Sequence, residues 1–228
     1  MRTKTAVKAE LSRDTVVDRA LAIADVEGLD AVTIRRLAQE FGVTPMALYW
    51  HVSNKDELLA AMGDRLFADL DADAVASTGP WPQQLRRLVA AVVGALRAHP
   101  AAAVLGSQRI LYSDSGRDLA ERALELLVRA GFDVGMACDI ARHSMQTAVM
   151  LVTQQPGELT TAAELREGLM AEKRAAIASL PVDRFPLLAA SAVAFTSCED
   201  NDGYYRFGID LFVAGVEGML PRRASKTR

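Results

Sequence analysis

Basic residues at the two ends of the chain are the first candidates for contact with a charged partner. Arg2, Lys4, Lys8 and Arg13 are accompanied by a single acid, Glu10, in the first thirteen residues, and four more cations lie in the last seven. Such clusters attract nucleic acid, although the formal net charge of the whole chain is −3. Terminal charges are more often solvated tails, so the N-terminal arm gains meaning only from the segment that follows it.

Two short helices joined at Gly42 have the form of a helix-turn-helix. Gly42 can adopt the positive φ that the turn needs, and Val43 can fill the angle between the helices. The small side chain of Ala38 lets them cross closely. Thr44 and Pro45 then start a short helix as N-cap and first helical residue, and its first turn is free to enter a major groove. An ordinary helical hairpin inside an all-α core fits these residues equally well.

The longer run from Thr33 to Leu59 separates the two interpretations, because it resembles the DNA-binding region of the tetracycline-repressor (TetR) family. The shared elements are R-x-L-A, then G-V, then L-Y-W-H-V, then N-K-x-x-L-L. The resemblance is dense over Ser12–Leu70. It is looser in the C-terminal half, where the segments that begin at Leu96, Leu127 and Tyr205 are similar to the tetracycline repressor's own subgroup.

The resemblance implies an all-α fold in two parts. Residues 1–58 are expected to form a three-helix, helix-turn-helix DNA-binding domain, and residues 59–228 a helical domain for ligand binding and dimerisation. The stretch Ala72–Pro82 is small and polar and contains Gly79, Pro80 and Pro82, which predicts a break in the chain there.

The resemblance also implies which residues contact DNA. Arg35 would reach a phosphate or a base edge, whereas Tyr49 and His51 suit phosphate contacts. Lys55 begins the fourth helix, where its charge and the free N–H groups can meet a phosphate. The complete predicted set is Thr33, Arg35, Thr44, Pro45, Met46, Tyr49, His51 and Lys55.

The apolar residues of the recognition helix have two expected roles. Pro45 and Met46 lie on its first turn and can contact only apolar groups such as a thymine methyl. Leu48 is expected in the core, and Trp50 is also expected there rather than at the DNA, because indoles are usually largely buried.

Helices are predicted through the rest of the chain from apolar spacing and capping residues. Ser12, Thr33 and Asn54 are N-caps, the last with Glu57 in a variant of the capping box. The later helices are predicted at Trp81–Ala98, Ala101–Ile110, Ser115–Ala130, Asp133–Gln154, Thr160–Ser179 and Asn201–Met219. No segment alternates with a period of two for long enough to predict a strand.

A polar stripe on the helix at Asp133–Gln154 allows two interpretations. Asp139, Arg142, His143 and Gln146 share one face, which is either solvated or intersubunit, or supplies polar groups to a ligand pocket. The resemblance implies a mainly apolar pocket in this half. Its candidate residues are Leu105, Ile110, His143, Gln146 and Met150.

The last helix is the predicted dimer interface. It is apolar on more than one side, and its glycines should permit close packing that compensates for their poor helix propensity. In the family this helix and the helix at Asp133–Gln154 pair with their copies across a two-fold axis. The candidate interface residues are Phe207, Gly208, Leu211, Phe212 and Gly215.

Other functions find little support. The chain lacks G-x-S-x-G, P-loop, G-x-G-x-x-G and H-E-x-x-H patterns, so no catalytic residue is nominated. No metal site or cofactor is expected, since the three histidines are scattered and the two cysteines lack ligand spacing. Two unpaired cysteines suit the cytoplasm, and no apolar run is long enough to span a membrane.

The residues and the resemblance together predict a homodimeric repressor that binds palindromic operator DNA and is released by a small apolar effector. In the tetracycline repressor a histidine after the fifth helix binds the magnesium of the drug chelate, but Pro100–Arg109 contains no histidine and His99 precedes it. A tetracycline–magnesium inducer is therefore not expected. The alternative is a ligand-binding adaptor that has lost DNA binding, which would show a damaged recognition region.

Overall fold

The computed structural model describes residues 11–71, 78–155, 163–196 and 201–220, and their regular structure is entirely helical. The all-α prediction is confirmed over these residues. The helices are α1 (Arg13–Glu27), α2 (Ile34–Phe41), α3 (Pro45–Tyr49), α4 (Lys55–Arg65), α5 (Trp81–Arg97), α6 (Ala103–Arg109), α7 (Asp114–Ala130), α8 (Val134–Thr153), α9 (Ala163–Ala178), α10 (Pro186–Ala190) and α11 (Asn201–Met219).

Polar side chains set the starts of several helices. The hydroxyl of Ser12 accepts the backbone N–H of Thr15, and the Thr15 hydroxyl in turn accepts the Ser12 N–H, which completes a capping box at α1. Thr33 and Asn54 cap α2 and α4 as predicted. Ser113 caps α7, which begins at Asp114, one residue before the predicted start at Ser115. These caps satisfy backbone donors that have no partner inside the helix.

The first four helices form a compact unit around a small core, which we call the head (residues 11–65). Helix α1 packs against α2 and α4, and its buried face includes Val16, Ala20 and Leu21. Leu37 of α2 and Leu48 of α3 are fully buried against it. The head therefore fixes the direction of α3 through apolar contacts on one side of that helix only.

The remaining long helices form the body, residues 81–155 and 201–220. Helix α5 packs against α7, α8 and α11, and α6 packs between α4 and α8. The buried Tyr205 hydroxyl of α11 bonds to the side chain of Gln155, which ties the end of α8 to the last helix. The same apolar cluster runs from the head into the body.

Helices α9 and α10 pack mainly on each other. Arg174 of α9 donates to the Thr196 hydroxyl at 2.9 Å, and Ala192 is buried nearby. Many large apolar side chains of this segment remain exposed, among them Leu187 and Phe195. The predicted helix at Thr160–Ser179 is found from Ala163, and residues 160–162 lie outside the described residues.

The fourth helix crosses the predicted domain boundary at residues 58 and 59 without interruption. It ends at Arg65, and the chain continues in turns to Asp69. Of the predicted break at Ala72–Pro82, residues 72–77 lie outside the described residues, as do the basic ends 1–10 and 221–228.

Within the described ranges, no single helix is long and apolar enough to cross a membrane. The segments Trp81–Arg97 and Pro100–Tyr112 reach that length and composition only as a pair, and they are bent by 109° relative to each other.

Candidate nucleic-acid interface

The turn between α2 and α3 has the geometry that its sequence predicts. Gly42 adopts φ 65° and ψ 33°, the left-handed conformation in which a side chain is disfavoured. The N–H of Val43 donates to the Ala38 carbonyl at 3.0 Å. Val43 is half-buried and Ala38 is buried, so the two helices cross closely and α3 leaves the turn in a fixed direction.

Helix α3 presents an uncovered apolar surface. The exposed fraction is 68% for Met46, 46% for Tyr49 and 86% for Trp50, whereas Leu48 is fully buried on the opposite side. The Thr44 hydroxyl makes no capping bond to the helix that it precedes. The first turn of α3 is thus available to a partner along its whole outer face.

Trp50 is exposed, so the prediction that it lies in the core is wrong. It caps the C-terminal end of α3 and is the most exposed large apolar side chain among the described residues. An indole offers an N–H donor and a broad apolar ring, and both suit a DNA surface. The short length of α3 was the available signal, since five helical residues with Leu48 inward leave position 50 pointing outward.

Two cations beside α3 have no partner in the described part of the chain. Arg35 on α2 and Lys55 at the start of α4 are exposed and form no ion pair there. Arg36, one residue further along α2, is held by Glu27 at 2.7 Å and by Glu40. The bonds to Glu27 and Glu40 raise the pKa of Arg36 above its ordinary value. The neighbouring arginines therefore have different roles: Arg36 braces α1 against α2, while Arg35 is available.

Two side chains cap the start of α4 next to Lys55. Asn54 accepts the Glu57 N–H at 2.8 Å, and the Glu57 carboxylate accepts the Ser53 N–H at 2.7 Å. This bond, with the nearby Arg13, lowers the pKa of Glu57. Asn54 caps α4 as predicted, but the Glu57 carboxylate bonds the residue before the N-cap, so the reciprocal bond of a capping box is not made.

The other predicted DNA contacts are placed around the same surface. Pro45 is exposed at the first turn of α3, and His51 is half-buried just beyond its end. The hydroxyl of Thr33 accepts the Arg36 N–H at 3.0 Å, so this side chain already has a capping role in the head.

The arrangement is an exposed short helix on the head, flanked by two cations that have no ion-pair partner among the described residues. Two family models cover most of the chain: one described as bacterial regulatory proteins of the tetR family matches residues 16–62, and one described as the tetracyclin repressor-like C-terminal domain matches residues 76–220. The chain belongs to the TetR family. It is a ligand-responsive transcriptional regulator with a helix-turn-helix DNA-binding region.

Relatives of known identity extend this assignment over nearly the whole length. The HTH-type transcriptional repressor DrrR1 of Streptomyces coeruleorubidus is 28% identical over 96% of this chain and 82% of the relative. The class D tetracycline repressor protein of Escherichia coli is 28% identical over 93% of this chain and 92% of the relative. The structure of ActR from Streptomyces coelicolor in complex with actinorhodin has a TM-score of 0.78 and 28% identity, covering 95% of this chain and all of that one.

The predicted ligand residues of this TetR protein fall into two groups. Leu105 is buried on α6 and Ile110 is half-buried after it. His143, Gln146 and Met150 lie together on the exposed face of α8, opposite its buried face. The structure therefore does not bring the two groups into one enclosed site within the described residues of a single chain.

The last helix shows which of its predicted interface residues are uncovered. Phe207 and Leu211 have exposed fractions of 70% and 64% and share one face of α11. Gly215 is also exposed and Phe212 is half-buried. Gly208 differs from the prediction: a Cβ there would lie 2.4 Å from Leu151 of α8, so its close packing is with the same chain.

His99 also has a defined position. Its Nδ1–H donates to Asp25 of α1 at 2.7 Å. His99 directly precedes Pro100–Arg109, the stretch compared above with the magnesium-binding segment of the tetracycline repressor. Its side chain is thus bonded to the head.

Proposed function

We propose that this TetR protein binds operator DNA as a homodimer and that a small, mostly apolar effector releases it. The observation that carries the DNA-binding half is the exposed outer face of α3 between Arg35 and Lys55, two cations without an ion-pair partner in the described part of the chain. Cations of this kind position a protein on phosphates, while the first turn of the helix reaches base edges. Palindromic DNA is expected because a two-fold dimer presents two equivalent heads.

The uncovered faces of α11 and α8 support the homodimer. Phe207 and Leu211 form an apolar stripe on α11, and Met150 lies exposed on α8, which packs beside it. A stripe of this kind typically marks a protein–protein contact. On α8 the exposed His143 and Gln146 would then lie between subunits, which corresponds to the intersubunit interpretation of the polar stripe.

The effector site is proposed next to α6, the helix that packs on α4. Leu105 and Ile110 are retained as lining residues, and His143, Gln146 and Met150 could reach a ligand only from the side of the subunit interface. ActR, which is similar over the whole chain, binds actinorhodin, and a mainly apolar effector suits the few polar groups available here. No magnesium requirement is expected, because the only histidine of this region, His99, is held by Asp25.

Release follows from thermodynamic linkage. An effector that binds better when α4 has moved will favour a spacing of the heads that does not match one turn of DNA, on the order of 34–36 Å. The effector then weakens DNA binding by the same factor as DNA weakens effector binding, typically about 1–3 kcal/mol.

A gel-shift assay with DNA from upstream of the chain's own gene tests the proposal. A specific shift supports the regulator, and its loss on adding an effector supports release. Actinorhodin is a reasonable first probe, with its affinity measured in the presence and absence of the bound duplex. Equal effector affinities with and without the duplex would mean that the effector site is not coupled to DNA binding. If the chain binds the effector but shifts no DNA, including duplexes selected from a random library, the alternative function of a ligand-binding adaptor is favoured.

A further inference from the structure

The head is attached to the body at two places. Helix α4 is the first, because it packs on α6 of the body. The second is α1, which contacts the short 3-10 helix Pro100–Ala102 that joins α5 to α6. A two-point attachment constrains the rotation of the head, which one helix alone would leave free.

A single polar contact closes the second attachment. Nδ1 of His99 lies 2.7 Å from Oδ2 of Asp25, and the two side chains are 33% and 26% exposed. His99 is the residue immediately before the 3-10 helix, and Asp25 lies in the last turn of α1. The bond therefore joins the end of α1 directly to the point where the body chain turns from α5 into α6.

His99 also lines a cleft of about 320 Å³ between the head and the body. Ala91, Ala95 and Ala98 of the α5 side supply no charge to this cleft. The charged residues that line this cleft with His99 are Asp18 of α1, Arg65 at the end of α4 and Asp69 in the turns that follow α4, and Asp25 of α1 contacts His99 directly.

Arg65 is already paired with Asp18 at 2.9 Å and with Asp69 at 3.2 Å. Arg97, two residues before His99, pairs with Asp202 and stacks on the Tyr205 ring. Within the described residues, Asp25 is thus the charged group that bonds His99 directly.

We propose that His99 and Asp25 form a latch between α1 and the body, and that protonation of the imidazole tightens it. Histidine is the side chain whose charge changes between about pH 5 and 8. A hydrogen bond with both partners charged is roughly twice as strong as a neutral one. The neutral pair keeps its bond, so acid strengthens an existing contact. The latch restricts the head to a narrower range of positions at low pH.

This inference rests on the proposed homodimer, because the position of each head is read out as the separation of the two α3 helices. The measurement uses the full chain with both cysteines replaced by serine and a spin label on the exposed Tyr49→Cys. Pulsed electron resonance then gives the label-to-label distance distribution in samples frozen at pH 5.5 and pH 8.0. A narrower distribution at pH 5.5 is expected, with loss of this difference in Asp25→Asn and in His99→Gln.

The matched control is Asp18→Asn. It removes a carboxylate of α1 in the same cleft, but that carboxylate pairs with Arg65 inside the head rather than with the body. Its distribution should keep the pH dependence of the parent. His51 and His143 are present in all these variants, so only the comparison between Asp25→Asn and Asp18→Asn isolates the latch.

Three results would overturn the latch: no pH dependence in the parent, the same pH dependence in Asp25→Asn, or equal loss in both aspartate variants. If no distance between labels is detected, no dimer forms, and the proposed function is rejected. Sedimentation recognises this outcome separately from the mass of the particle. In that case the same comparison is made within one chain, with labels at Tyr49→Cys and Glu121→Cys.

Discussion

Two exposed apolar surfaces of this TetR protein look alike in exposure but differ in charge. The surface on α3 carries Met46, Tyr49 and Trp50, and the one on α11 carries Phe207 and Leu211. The α3 surface is flanked by cations that have no partner among the described residues. Beside the α11 stripe, Asp210 is paired with Arg86. Under the proposed function both are contact surfaces, and the charge around each of them assigns the α3 surface to phosphate and the α11 surface to a second copy of the chain.

The two surfaces also differ in how their helices pack against the rest of the protein. Helix α3 has five residues and one fully buried side chain, Leu48, so the head must hold it through the turn at Gly42. Helix α11 is nineteen residues long and buries Tyr205, Ile209, Val213 and Val216 against the body. The α3 surface depends on the small core of the head for its direction, whereas the α11 surface lies on a long helix that is held by its own buried side chains.

The largest expected effect is on assembly. Leu211→Arg places a charge in the exposed stripe of α11, where it costs the single chain little but cannot be buried against a second copy. Sedimentation should show monomers at concentrations where the parent is a dimer, and operator binding should be lost with it. Glu217→Arg, an exposed change on the flank of the same helix, is the control. A dimeric Leu211→Arg protein would place the interface elsewhere.

Next in size is a pair of substitutions on the two sides of α3. Leu48→Ala opens a cavity in the head and should lower the free energy of unfolding by about 2–5 kcal/mol. Trp50→Ala should change it by no more than about 0.5 kcal/mol, as expected for a surface site, yet weaken DNA binding about tenfold through a lost contact of about 1.4 kcal/mol. Chemical denaturation and fluorescence anisotropy measure the two effects. Equal destabilisation by both would contradict the exposed position of Trp50.

A smaller effect separates positioning from base reading. Lys55→Ala should weaken binding to all duplexes and reduce the slope of log affinity against log salt by about one unit. The control is Lys173→Ala, which removes the same charge from exposed α9. If both variants lower the slope equally, the change reflects net charge, and Lys55 is not at a phosphate.

The smallest effect concerns the start of α4. The pKa of Glu57 is lowered in the folded protein, so its charged form contributes stability that is present above the ordinary glutamate range and is lost as the pH falls through the lowered value. Glu57→Gln keeps an acceptor for the Ser53 N–H but has no charge to lose. Its stability should therefore depend less on pH in the acidic range than that of the parent, as followed by thermal unfolding between pH 3 and 6. A parallel dependence would assign the acid sensitivity to other carboxylates.

The sequence predicted best what local rules decide. The caps at Ser12, Thr33 and Asn54, and the positive φ of Gly42, follow from residue type and spacing within four positions. The family resemblance then identified α3 as the recognition helix. Those features need no knowledge of which distant segments meet.

The missed features depend on contacts between distant segments. The bond from His99 to Asp25 spans 74 positions along the chain, and the packing of Gly208 on Leu151 depends on how α8 and α11 cross. Trp50 was placed in the core by the average behaviour of its residue type, although a helix as short as α3 can bury only one side. Residue type and periodicity carry no information on such pairings.

Selection of a bound duplex from a random library, followed by footprinting, tests the central claim most directly. The account predicts a palindromic site whose two protected half-sites lie on one face of the DNA, about one helical turn or a multiple of it apart, and which Leu211→Arg no longer protects. Enrichment of no sequence, or protection of a single unrepeated half-site by a monomer, would contradict a dimeric operator-binding protein.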